Sequence, residues 1–224
     1  VNANAHNSIA FGRLATVNAN NIESIAIGTG ATVSASQATA LGRNNIASGA
    51  YSTAIGAGGN TTATATQATA DGALALGGNA TAGAKAAGAN SIALGGESVA
   101  GSATKANAIA IGKGASATGA NAISIGLGNQ VSGDNSGAIG DPTIITGSGT
   151  YTIGNNNGTV AANESGAIGN NNTITGALTG VRVVGNSNNI ASDNAMILGN
   201  NVNVGAAAAN AVALGSGTSV TAAG

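Results

Sequence analysis

The chain has 224 residues, of which only 6% are charged and 1% aromatic while 38 are glycine, so it lacks the Phe, Tyr and Trp that supply the buried area of an ordinary compact core. A net charge of −1 provides no field to steer nucleic acid or an anionic membrane, and the absence of cysteine excludes a disulfide framework and a thiolate metal site. No apolar run approaches the roughly 18 residues that a membrane-spanning helix requires.

The organising signal is a large side chain followed by glycine. It occurs first at Phe11-Gly12 and then at Ile27-Gly28, Leu41-Gly42, Ile55-Gly56, Leu76-Gly77, Leu94-Gly95 and Ile111-Gly112. It continues through Ile125-Gly126, Ile139-Gly140, Ile153-Gly154, Ile168-Gly169, Val184-Gly185, Leu198-Gly199 and Leu214-Gly215. Most spacings are 14 to 16 residues, with longer intervals of 21, 18 and 17 after Gly56, Gly77 and Gly95. A period held from end to end predicts one unit stacked on itself, a solenoid filling a single domain, residues 1–224. The chain opens and stops within a repeat, which predicts a piece of a longer protein.

Glycine costs about 1 kcal/mol per helical position relative to alanine, so a repeat with several glycines is not a helix. Fourteen residues give about 46 Å of contour, enough for two short strands and two tight turns. Each coil is therefore predicted to be a flattened two-stranded roll that pairs in parallel with its neighbours. The first strand is apolar on both faces, with no polar alternate in coils such as Ile25-Ala26-Ile27, Leu74-Ala75-Leu76 and Met196-Ile197-Leu198. The second alternates, with Ala80 and Ala82, Ala115 and Ala117, and Val202 and Val204 expected inside. A two-layer roll can cover only one face of the first strand, so the sequence predicts self-association through the other. Seven first strands are preceded by asparagine, at Asn7, Asn90, Asn107, Asn121, Asn135, Asn194 and Asn210, whose amides can ladder between coils.

The stretch through Thr61-Thr62-Ala63-Thr64-Ala65-Thr66 reads either as a tolerated loop or as a receptor-contacting excursion. Lys85, Lys105 and Lys113 fall in neighbouring coils and form either a solvated face or a weakly basic strip. After Gly140 the turns fill with asparagine (Asn155-Asn156-Asn157, Asn170-Asn171-Asn172, Asn200-Asn201), which suits left-handed turn geometry. Pro142 fits a turn. Tyr151 is expected in an inner apolar slot. Arg182 replaces an apolar residue, and a local shift carrying it outward is expected, with a buried anion site as the alternative.

Asn7-Ser8-Ile9-Ala10-Phe11-Gly12 and Asn90-Ser91-Ile92-Ala93-Leu94-Gly95, each running into a second strand, resemble the head repeats of the YadA-like trimeric autotransporter adhesins, coil by coil over essentially the whole chain. The resemblance implies a left-handed parallel β-roll of about 14 coils assembled as a homotrimer. It also implies display on a Gram-negative outer surface, through a stalk and membrane anchor outside this sequence, and binding to a host matrix protein or cell-surface receptor. Ile27, Leu76, Leu94, Ile111, Ile125 and Leu198 are the expected trimer and core strand residues. Arg43, an outward Tyr51 beside it, and Thr61, Thr62, Thr64 and Thr66 are the expected receptor contacts.

No catalytic residue, metal ligand or cofactor is expected. The single histidine, His6, has no cysteine and few acids to join it, and Asp71, Asp134, Asp141 and Asp193 sit where aspartate caps turn backbone. The competing readings are a non-binding spacer of a surface fibre, a left-handed β-helix acyltransferase, whose coils take about 18 residues and whose chemistry needs a histidine, and an ice-binding solenoid, whose threonines would have to recur in every coil.

Overall fold

A computed structural model describes residues 1–222. The chain divides into two compact units, Val1–Ala120 and Asn121–Gly224. Both are parallel β-solenoids with seven coils apiece, about 14 in all, and each coil contributes one strand to an A sheet and one to a B sheet.

In the first unit the A strands begin with Ile9–Phe11, Ile25–Ile27 and Thr39–Leu41 and end with Ile109–Ile111. Their pairing is in register, Ile9 with Ile25 and Phe11 with Ile27, so equivalent residues of successive coils form columns. The middle residue of each strand points inward, and from Ala26 to Ala110 every one is a buried alanine. Facing them across the roll, the B strands contribute Val17, Val33, Ala47, Ala68, Ala86, Ala100 and Ala117, so the core is only two small side chains thick. The predicted alternation holds at Ala115 and Ala117, both buried. It fails after Gly77, where a hairpin-like excursion postpones the strand to Lys85–Ala86, so that Ala84 and Ala86 are inside instead of Ala80 and Ala82.

In the second unit the A strands run from Ile123–Ile125 to Val212–Leu214. The B strands fall into two ladders, Gln130–Val131 to Gly158–Val160 and Thr173–Ile174 to Ser219–Ala222. Here Val160, Ile174, Val183, Ile190, Ile197 and Val204 fill a continuous buried cluster.

The recurring glycine is required by stacking as well as by its dihedral. Gly185 has φ 138°, and a Cβ there would collide with the carbonyl of Gly199 in the next coil. The asparagine before the A strand is a second left-handed position: Asn90, Asn121 and Asn194 have φ of 54°, 54° and 55°. The expected amide ladder forms in places, with Asn121 Nδ2 donating to Asn135 Oδ1 at 2.9 Å and Asn194 Nδ2 to Asn210 Oδ1 at 3.2 Å.

Candidate functional site

Two surfaces stand out. The first is the outer face of the A strands. Because the middle residue points in, the first and third residues point out, and the third-residue column is aliphatic or phenylalanine in every coil. Ile27, Leu76, Leu94, Ile111, Ile125 and Leu198 all lie in it, on the outer face rather than in the core. The exposed part is heaviest in the second unit, where Leu198 and Leu214 are 56% and 66% exposed.

The first-residue column of the second unit is irregular: Ile123, Gly137, Tyr151, Gly166, Arg182, Met196 and Val212. Tyr151 therefore faces outward, and Thr152 takes the inner slot the sequence had suggested for the tyrosine. A Cβ on Gly137 would stand 2.8 Å from the Tyr151 ring, so the ring lies over that glycine. Arg182 undergoes no local shift. It keeps strand register with Met196 and lies on the outer apolar face, where its Nη1 donates to the backbone carbonyls of Glu164 and of Val181, the latter at 3.0 Å. Between Tyr151 and Arg182, over Gly166, is a cleft of about 200 Å³.

The second surface is an edge of the first unit, where the chain turns from A to B strands. The excursion after Gly56 contains one turn of 3₁₀ helix, Thr62–Thr64. Thr64 Oγ1 lies 3.0 Å from Thr61 Oγ1 and accepts the Thr61 backbone N–H at 3.2 Å. Arg43 holds the loop down, its Nη2 donating to the Gly59 carbonyl at 2.8 Å and to Asn60 Oδ1. The following coil adds its own excursion on the same edge. There Asn79 Oδ1 accepts the N–H groups of Thr81 and Ala82 at 2.8 and 3.0 Å, while its Nδ2 donates to Glu97 Oε1 at 2.8 Å. Arg43, Asn60 and Asn79 border a cleft of about 290 Å³ between the two loops.

The expected receptor residues do not share one surface. Arg43, Thr61, Thr62 and Thr64 share the A-to-B edge. Thr66 is buried, donating through Oγ1 to the Gly77 carbonyl at 2.9 Å, because the strand Gln67–Ala68 has already begun to re-enter the roll. Tyr51 is exposed but lies in the B-to-A turn preceding Thr53–Ile55, across the coil from Arg43. Asn60, Asn79 and Glu97 were not singled out from sequence, although the 18-residue interval after Gly77 marked the second excursion. The three lysines form no strip: Lys85 is on the B strand, Lys105 in the tight Ser102–Lys105 bridge and Lys113 in an A-to-B turn.

Among the described residues no three His, Cys, Asp or Glu side chains come together as metal ligands, and no helix is long and apolar enough to cross a membrane. Asp141 and Asp193 accept turn N–H groups, from Leu127 and from Thr179 at 2.7 Å respectively.

No curated protein matches the chain. The YadA head domain repeat matches residues 3–31, 19–45, 34–58, 68–98, 103–129 and 117–141, which together cover more than half of the sequence. These coils, with their apolar outer strands and in-register stacking, belong to the YadA head family, a family of non-enzymatic adhesin heads.

Proposed function

We propose that this chain is the head of a bacterial surface adhesin, a homotrimer of left-handed β-rolls joined through the outer faces of their A strands, which binds a host matrix protein or cell-surface receptor. The observation that carries the reading is the aliphatic third-residue column. In the second unit, Ile139, Tyr151, Ile153, Ile168, Val184, Met196, Leu198, Val212 and Leu214 are exposed on this one face. At on the order of 80 Å² apiece they present roughly 700 Å² of apolar surface from this unit alone, which a ring would divide between two neighbours. A soluble monomer rarely leaves so much contiguous apolar surface in water.

Receptor recognition is assigned to the A-to-B edge of the first unit, where Arg43, Asn60, Asn79 and the Thr61–Thr64 turn offer polar groups around a cleft on an otherwise regular solenoid. Many copies on one cell compensate for weak single contacts through avidity. Sedimentation of the purified chain tests the assembly, with a trimer expected and a stable monomer counting against the reading. Binding to immobilised collagen, fibronectin, laminin and epithelial surfaces tests recognition. Shortening the loop must stop at residue 64, since residues 67–68 are strand; loss of binding with assembly intact supports the edge, and unchanged binding retires it.

A further inference from the structure

Gly137 and Gly166 occupy equivalent outward positions on either side of Tyr151, yet the chain accounts for only one of them. A side chain at Gly137 would strike the Tyr151 ring. At Gly166 the nearest atom to an added Cβ is the Tyr151 carbonyl oxygen, 3.5 Å away at ordinary contact distance, and the backbone is not in a left-handed conformation. Glycine inside a strand weakens it and packs nothing. In most other coils this position carries a larger side chain, from Ile9 and Ile25 to Met196 and Val212. The vacancy at Gly166 therefore serves something outside the chain.

We infer that the cleft over Gly166, walled by Tyr151 and Arg182 and bordered by the chain's own Ile153, Ile168 and Val184, seats Ile168 from a second copy of this chain. The inference rests on the proposed self-association through the A face. The apolar columns run along the direction in which coils stack, so a closed ring buries them fully in every copy only if its axis lies along that direction. Rotation about such an axis involves no translation along it, so each coil meets the same coil of its neighbour. In a ring the contact is heterologous, the first-residue column of one copy meeting the third-residue column of the next. At the level of Gly166 the third residue is Ile168, which is 52% exposed within its own chain. A cleft of about 200 Å³ has room for one such side chain, given that a cavity of roughly 150 Å³ admits a benzene ring.

The native chain has no cysteine, which permits a direct test. The double variant Gly166→Cys/Ile168→Cys is oxidised with copper phenanthroline and run on a denaturing gel, beside each single variant. Cysteines two apart on one strand face point in parallel and do not bridge readily within a chain. The expected product is a covalent trimer from the double variant and none from either single variant. Gly166→Val, which the isolated chain accommodates, is expected to lower the midpoint temperature of trimer dissociation while leaving the β-sheet circular dichroism unchanged. A wild type that sediments as a trimer but gives no covalent trimer, or Ile168→Cys dimers alone, would overturn this contact and leave self-association standing. A monomeric wild type would overturn both.

Discussion

The two units solve one turn in two ways. In the first unit the turn after the glycine closes on itself: Ala15 donates to the Gly12 carbonyl at 3.1 Å and Ala31 to the Gly28 carbonyl at 3.2 Å. In the second unit the equivalent groups bond between coils. Asn172 Nδ2 donates to the Gly185 carbonyl at 2.8 Å, and Asn172 Oδ1 accepts the Asn188 N–H at 3.2 Å, while Asn188 repeats the pattern towards Gly199 and Val202. An outer ladder runs beside this buried one, the N–H groups of Asn155, Asn170 and Asn186 donating to the side-chain oxygens of Asn170, Asn186 and Asn200. Each asparagine triplet thus divides its labour: the first residue bonds outward to the preceding coil, the second takes φ near 57°, and the third is buried in the ladder. Both lengthened coils of the first unit depart from the local closure, the Gly56 carbonyl accepting from Asn45 Nδ2 and the Gly77 carbonyl from Thr66 Oγ1, and their excursions form the candidate recognition edge. Cross-coil amides tie neighbouring turns of the second unit together, as nearest-neighbour coupling in a solenoid requires.

Asn45 illustrates the difference. It uses the second unit's device within the first, its Nδ2 donating to the carbonyls of Leu41 and Gly56 at 2.6 Å each. Its Oδ1 nonetheless has no partner, because the next coil departs into the excursion instead of supplying a turn N–H.

The largest expected effect concerns core thickness. Ile197→Ala in the second unit removes a buried side chain from the valine and isoleucine cluster and should cost about 2–5 kcal/mol in denaturant unfolding. A cost below ~1 kcal/mol would mean that this unit collapses as readily as its neighbour. The reciprocal change, Ala93→Ile, forces a large side chain between alanine layers and should cost about 1–3 kcal/mol. Tolerance of isoleucine there would show that the thin core is not tightly packed. Asn172→Ala strands the Gly185 carbonyl and the Asn188 N–H in the interior and should cost about 1–3 kcal/mol, whereas Asn186→Ala, on the exposed ladder, should cost no more than about 1 kcal/mol. Equal losses in thermal unfolding would erase the distinction between the two ladders. The smallest effect has the opposite sign. Thr152 buries a hydroxyl without a partner, so Thr152→Val should be neutral or stabilise by up to about 1 kcal/mol. All five variants are compared at one protein concentration, since self-association raises apparent stability by mass action.

Much of this was legible in the sequence because the period of the aliphatic-glycine pair fixes coil number, and apolar residues at all three positions of the first strand specify an outer face in need of cover. The excursions were visible as lengthened intervals, and the threonines at 61, 62 and 64 lie in the first of them, whereas Arg43, expected beside Tyr51, instead bonds to that loop. Two readings failed for different reasons. Tyr151 keeps the ordinary register, but its slot is the first position of an A strand, which faces outward while the middle residue faces in. Thr66 lies in a lengthened coil, whose extra residues carry it back into the roll.

The sequence by itself determined a two-stranded solenoid, its coil count and its apolar outer strand, because these follow from periodicity and from the short contour of a coil. Only the tertiary structure decided what each asparagine of a triplet does and that Gly166 lacks the reason Gly137 has. Those properties depend on atoms about 14 residues away in sequence that stacking brings into contact, and a single coil contains no record of them.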